Sequence, residues 1–210
     1  MWVRNYYNLL TAAFLEDTNA TRNDGFPRPS DYSTPIKVAH KNGTYFTPTA
    51  GSIIPVSSSY GQLAPYIKLL TALTMGKTNM AYTDEPSSTG MGVMFGSGST
   101  PATYDDINIV SPITSGITLD NTNGNLETTS HLDGTHIKST RSYTFTNTGS
   151  STLSVREFGI FVAVTYGTNY GPWSCLVYRE VFDETISLAP GESIILKFNR
   201  DSEPFNYQPY

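Results

Sequence analysis

From residue 135 onward the chain repeats one pattern, a run of β-branched and aromatic residues followed by a short cluster of turn formers. The runs are Thr135 to Thr146, Thr152 to Tyr166, Trp173 to Phe182, Thr185 to Leu188 and Ser193 to Phe198. Asn147-Thr-Gly-Ser-Ser151 separates the first two, and Ala189-Pro190-Gly191 precedes the last. Spacing this regular predicts two-layered or closed β-structure. The expected fold class is mainly β: an antiparallel β-sandwich, jelly-roll or Ig-like, behind an irregular N-terminal region with one or two short helices.

Parity within the strands locates the core. Around Arg156 to Tyr166 the even positions Phe158, Ile160, Val162 and Val164 form one apolar row, and Val155, Phe161 and Ala163 form another. Side chains alternate between the two faces of a strand, so this one is expected to be covered on both. Glu157 interrupts the second row. A carboxylate aimed at an apolar layer needs a partner, and Arg179, or alternatively Arg141, is the expected one. The competing reading leaves Glu157 exposed near the strand start beside Arg156.

The first 90 residues are different in kind. Trp2, Tyr6, Leu9, Leu10 and Phe14 recur at helical spacing, up to a polar stop at Glu16-Asp17-Thr18-Asn19. An extended arm competes with the helix, because Val3, Tyr6 and Tyr7 also favour strands. Trp2, Tyr6, Leu9 and Phe14 form either an assembly surface or a stripe packed on the chain's own sandwich. Arg4, Asn5 and Asn8 break the apolar run, so the segment reads as mature structure and not as a signal peptide.

Thr18 to Pro35 is turn chemistry, with Asn23-Asp24-Gly25, Pro27, Pro29 and Ser30-Asp31. Ile36 to Ala39 and Thr44 to Thr47 flank Asn42-Gly43, which predicts a hairpin. Tyr60 to Met75 carries the strongest helical pattern, with Pro65 early in it and Gly76 at its end. Residues 76–104 read as a long loop around one short strand, Val93-Met94-Phe95. The expected division is 1–90, an arm, hairpin and short helix used in assembly, and 91–210, the sandwich.

Composition narrows the function. Of the 210 residues only 15% are charged and the net charge is -5, against about 25% charged in typical soluble domains. A surface carried by Thr, Ser, Asn, Gly and Tyr repels neighbours weakly, which suits subunit contacts and also sugar binding. With a pI near 5.1 and no Lys/Arg run, direct nucleic-acid binding is not expected. No stretch approaches the roughly 20 apolar residues that span a bilayer, so no membrane partner is expected either. The single cysteine, Cys175, leaves no internal disulfide and reads as a small buried hydrophobe.

Motifs for catalysis do not assemble. Gly76-Lys77-Thr78 lacks the upstream glycine of a phosphate loop, Thr71 standing in its place. Gly90-Met-Gly92 with Gly96 has neither dinucleotide spacing nor a βαβ setting. His40, His131 and His136 are scattered, and His131, Asp133 and His136 read as a polar turn. Asp120-Asn-Thr-Asn-Gly124 with Glu127 fails the alternation of a calcium loop. Asp105-Asp106 and Asp183-Glu184 are the acids to inspect for a shared cleft. No enzyme, cofactor or metal is expected.

Several segments carry a family likeness. Gly96-Ser-Gly-Ser-Thr-Pro-Ala-Thr-Tyr-Asp-Asp106, continued by Ile107-Asn-Ile-Val-Ser-Pro-Ile113, resembles a Gly-x-Gly-Thr-Thr-x-Pro-x-x-x-Asp-Tyr-x-Leu stretch of bacteriophage virion proteins. Tyr143-Thr-Phe-Thr-Asn-Thr148, Val155-Arg-Glu-Phe-Gly-Ile-Phe161, Leu176-Val-Tyr-Arg179 and Leu188-Ala-Pro-Gly-Glu192 follow in matching order. The likeness covers residues 91–198 and departs at Ser99 and in the long 113–143 loop. It implies a β-sandwich in a decoration, head-to-tail, tail or fibre-attachment component, located in the virion, with copies of itself and other virion proteins as partners and no catalytic residues. The alternative expectation is a host-surface glycan module, with Tyr166, Tyr170 and Trp173 as stacking faces in the Thr165 to Trp173 loop.

Overall fold

The computed structural model describes residues 1–8, 38–46, 80–86, 91–120, 125–127, 137–164 and 173–202. The strands are β1 (Val38–Ala39), β2 (Tyr45–Phe46), β3 (Met80–Tyr82), β4 (Met91–Gly96), β5 (Ile117–Leu119), β6 (Asn125–Glu127), β7 (Ile137–Asn147), β8 (Leu153–Val164), β9 (Trp173–Leu188) and β10 (Ser193–Ser202). The protein is mainly β, with two four-stranded sheets: β3-β4-β8-β9, and β10-β7-β5 with β6 also on β7. Residues 4–8 are helical. Trp2 and Val3, where the 2–15 helix was expected to begin, are not helical, Trp2 bridging antiparallel to Tyr178 on β9; residues 9–15 and the expected helix at 60–75 lie outside the described residues.

The sheets meet through aromatic side chains. Phe95 on β4 stands edge-on to Phe145 on β7 with ring centroids 5.2 Å apart, and both are fully buried. Met80, Met91, Val93, Phe158, Ile160, Val162, Cys175 and Val177 join them in one cluster. Phe158, Ile160 and Val162 of the even row of β8 therefore face this core, as the periodicity predicts. Val155 joins the same cluster although its position is odd, because the register of β8 against β9 shifts between Val155 and Glu157.

The opposite face of β8 is covered differently. Phe161 packs with Val3, Met94, Ile109 and Leu176 in a second cluster. The cover is thus the N-terminal segment and the loop between β4 and β5. Burying the Phe161 side chain contributes about 1.5–3 kcal/mol. Gly159 makes room for this layer, since a Cβ there would lie 2.6 Å from Ile109 Cγ2 and 2.8 Å from Leu176 Cδ1.

Four expectations change. Val93 to Phe95 is not a short strand in a loop but the middle of β4, whose six residues are all buried because it pairs with β3 on one side and β8 on the other. Pairing is not wholly antiparallel: β3 runs parallel to β4, Met80 opposite Met91. The chain does not divide at residue 90, because β3 belongs to the large sheet and Met80 is part of its core. Trp173 to Phe182 and Thr185 to Leu188 form one 16-residue strand, β9. The intervening Asp183 to Thr185 stretch protrudes without reversing the chain, and Arg156 Nη2 donates to the Asp183 carbonyl at 3.1 Å.

The expected hairpin is present as β1 and β2. Gly43 takes φ +88°, and its N–H donates to the His40 carbonyl at 2.9 Å. Asn5 anchors the hairpin to the N-terminal segment: its carboxamide donates to the Ala39 carbonyl and accepts from the Ala39 N–H, each at 2.8 Å. Nothing in the local pattern around Asn5 announces this role.

Candidate functional site

Glu157 projects from β8 into the second layer with 0% of its side chain exposed. One oxygen, Oε1, accepts N–H groups from Gly98 at 3.1 Å, Val110 at 3.0 Å and Ser111 at 2.8 Å. The other, Oε2, faces Arg179 on β9, with Nε at 3.0 Å and Nη2 at 2.9 Å. The carboxylate thereby exchanges its hydration for fixed donors, the condition under which burial of a charge is tolerated.

Arg179 is saturated as well. Its Nη2 donates to the Thr100 carbonyl at 2.8 Å, and Nη1 donates to Asp106 Oδ2 at 2.7 Å and to the Pro101 carbonyl at 3.5 Å. Its side chain is 1% exposed. A planar guanidinium with five N–H donors suits this task, which the point charge of a lysine does not. Asp106 closes the network by also accepting from the Thr103 N–H and hydroxyl. Burial opposes the Asp106 carboxylate, but the Thr103 bonds and Arg179 outweigh it and hold its pKa below the usual carboxylate value.

The glycines of the 96–98 segment find their reason here. A Cβ on Gly98 would stand 2.3 Å from Glu157 Oε1, and one on Gly96 would stand 2.6 Å from the Ser111 carbonyl and 2.7 Å from Glu157 Oε1. Three segments distant in sequence, the Gly-rich loop with Asp106, the strand with Glu157 and the strand with Arg179, therefore meet at one buried ionic latch. The register shift between Ile160 and Phe161 contributes to it. It places Val177 in the inter-sheet core while Arg179, two residues on, points to the opposite side.

Arg141, the other cation considered for Glu157, lies on β7 in the second sheet, opposite Phe198. The exposed reading of Glu157 is likewise replaced by full burial.

Backbone groups of Arg179 hold a further element. Its N–H donates to the Met1 carbonyl at 3.0 Å, Trp2 bridges antiparallel to Tyr178, and Val3 N–H donates to the Val177 carbonyl at 3.1 Å. Trp2 stacks on Tyr6 at 4.2 Å and stands edge-on to Tyr178 at 5.0 Å. Trp2 and Tyr6 thus pack against the chain's own sheet and do not project as a free arm, because main-chain pairing carries them onto β9. Leu9 and Phe14 lie outside the described residues. Arg4 reaches the loop from this segment, donating its N–H to the Tyr104 carbonyl at 2.7 Å and pairing with Asp105.

The remaining candidates do not converge. Asp105 pairs with Arg4 and Asp106 with Arg179. An open cleft of about 420 Å³ is bordered by Arg156, Arg179, Glu180 and Asp183, but not by Asp105, Asp106 or Glu184. Among the described residues no three His, Cys, Asp or Glu side chains stand together as metal ligands. His131, Asp133, His136, Tyr166, Tyr170 and Gly76 to Thr78 lie outside the described residues. Trp173 opens β9, its backbone paired with Val164.

Sequence reading missed Asp106 as the third member of the latch, and Asn147. Fully buried, Asn147 donates to the carbonyls of Leu188 at 2.8 Å and Ser151 at 2.9 Å, and so joins two turns. Asp106 at the end of the Gly-rich segment was the available signal for the first, and the second carried none. No protein-family model, curated protein or solved structure matches this chain.

Proposed function

We propose that this chain is a non-enzymatic structural component of a bacteriophage virion, a minor capsid or decoration protein or a head-tail or tail component, acting through protein contacts. In this reading the two sheets form a β-sandwich of jelly-roll or Ig-like type. The observation that carries it is the meeting of Gly96, Gly98, Asp106, Glu157 and Arg179, all from segments that resemble virion proteins, in a latch that fixes a surface loop to the sheet. Charged residues in those segments are used to hold shape. Low overall charge supports the same reading, since surfaces poor in charge lose little hydration on contact.

The test is to purify particles from an infected culture of the source phage and detect the chain by mass spectrometry and antibody labelling. Stoichiometric incorporation at one location is the expected result. A chain found only free in the lysate would sink the proposal, and glycan-array binding by that free chain would favour the host-surface module instead.

A further inference from the structure

Asp106 closes a turn as well as answering Arg179. Its N–H donates to the Thr103 carbonyl at 3.2 Å, while its carboxylate accepts from the Thr103 N–H at 2.9 Å and hydroxyl at 2.7 Å. The turn is thus held by main chain and side chain at once, and the ion pair with Arg179 ties it to the sheet. Its two corner residues point outward: Tyr104 is 44% exposed and the Asp105 side chain 69%.

The helical residues 4–8 meet this turn, and Arg4 and Tyr7, three positions apart, share the side that does so. Arg4 N–H donates to the Tyr104 carbonyl at 2.7 Å, its guanidinium lies 5.2 Å from the Tyr104 ring centre, and it pairs with Asp105. Tyr7, itself 45% exposed, sets its ring 5.8 Å from that of Tyr104. Within the ion pair Arg4 engages through Nη2 and Asp105 through Oδ1. Among the described residues no hydrogen bond takes Arg4 Nε, Arg4 Nη1 or Asp105 Oδ2.

We infer that Arg4, Tyr7, Tyr104 and Asp105 form a sugar-binding site whose ligand is a neutral hexopyranose unit of a glycan. A pyranose presents an apolar face of C–H groups and a rim of hydroxyls, each both donor and acceptor. The two tyrosine rings supply the apolar contact at low cost in side-chain entropy. Arg4 Nη1 and Asp105 Oδ2 supply a donor and an acceptor side by side, as two adjacent hydroxyls require. The closed turn fixes Tyr104 and Asp105 before any ligand arrives, which lowers the ordering cost of binding. A protein partner fits less well, because charge is depleted at the centre of protein interfaces and here an Arg and an Asp stand among the rings. The net charge of -5 disfavours acidic sugars. This site uses none of Tyr166, Tyr170 and Trp173, and it goes beyond the virion reading without resting on it.

The test is to screen the full chain on an array of neutral and sialylated glycans, then to titrate the soluble oligosaccharide of each hit by calorimetry. Expected is binding to neutral, hexose-bearing glycans. Tyr104→Ala should weaken it by about tenfold or more, the scale of one lost ring contact, and Asp105→Ala should also weaken it. Tyr104→Phe, which keeps the ring, should bind as the unsubstituted chain does. All three positions are substituted at exposed corners of the turn, and an unchanged urea midpoint confirms that each variant folds.

No binding to any glycan overturns the inference, and so does binding confined to sialylated ones. Binding kept in Tyr104→Ala but lost in Trp173→Ala places the sugar elsewhere and overturns it too. Absence of glycan binding together with loss of particle incorporation in Tyr104→Ala would assign the cluster to a protein contact instead. A chain that joins particles and binds no glycan leaves the virion reading standing while removing this one. Glycan binding through Tyr104 in a chain that never joins particles does the reverse.

Discussion

Glu157 and Arg179 face each other across β8 and β9 at 2.9 Å, with neither side chain open to water. Removing the Glu157 carboxylate leaves the buried Arg179 with Asp106 as its single acidic partner and deprives the Gly98, Val110 and Ser111 N–H groups of a charged acceptor, so the cost is set by what is left buried and not by the strength of the pair.

Glu157→Gln is expected to destabilise the protein by about 3–5 kcal/mol, since the amide offers its NH₂ either to Arg179 or to N–H groups that already donate. Urea unfolding followed by tryptophan fluorescence measures it. A change below about 1 kcal/mol, the range of an exposed pair, would show that the latch contributes little.

Gly98→Ala places a methyl where Glu157 Oε1 stands, at 2.3 Å. Overpacking of this kind costs about 1–3 kcal/mol. The loop is expected to lift, so hydrogen exchange should quicken at the amides of Val110 and Ser111, which donate to the same carboxylate. Gly191→Asn is the contrasting case: φ there is +83° with nothing within 4 Å of a Cβ, and asparagine tolerates that region. Unchanged exchange in Gly98→Ala would contradict the packing argument.

Acid weakens the latch through Asp106. Its carboxyl, held below the usual value, binds a proton less readily when folded than when unfolded. Its contribution is therefore complete above the ordinary aspartate pKa of about 3.9 and is lost as pH falls through the depressed folded value. At the alkaline end, burial lowers the Lys41 pKa, but the hydrogen bonds that its ammonium donates to Asp84 and Glu85, with their charges, outweigh burial and raise it, so its contribution is lost as pH rises through that raised value. Melting temperature against pH should show both limbs. Asp106→Asn should flatten the acid limb alone, and an unchanged acid limb in that variant would exclude Asp106 as its source.

Cys175 is fully buried, and burial pushes its thiol pKa far up. The thiolate is the reactive form, so a thiol reagent should modify the native protein no faster than the core opens. Labelling in rising urea should follow the unfolding curve. Rapid stoichiometric labelling without denaturant would show that the cluster shared by the two sheets opens locally.

Much of the fold was legible because its causes are local. Alternation at period two along 155–166 marks a strand covered on both faces, and Asn42-Gly43 marks the hairpin turn. Glu157 was visible as an anomaly, a charge within an apolar row, and Arg179 as one of two candidate cations. Asp106 was not, because no alternation or spacing ties it to a guanidinium 73 residues away.

Alternation, turn chemistry and low charge were determined by the sequence itself, since each depends on neighbours within a few positions. Tertiary structure decided what covers the second face of β8, namely residues 1–3 and the loop carrying Ile109. It also decided that Arg179 and not Arg141 faces Glu157, through a register shift that period-two reasoning does not register. A buried charge is satisfied by whatever the fold brings within about 3 Å, and here those donors come from residues 98, 110, 111 and 179, which only the folded chain gathers.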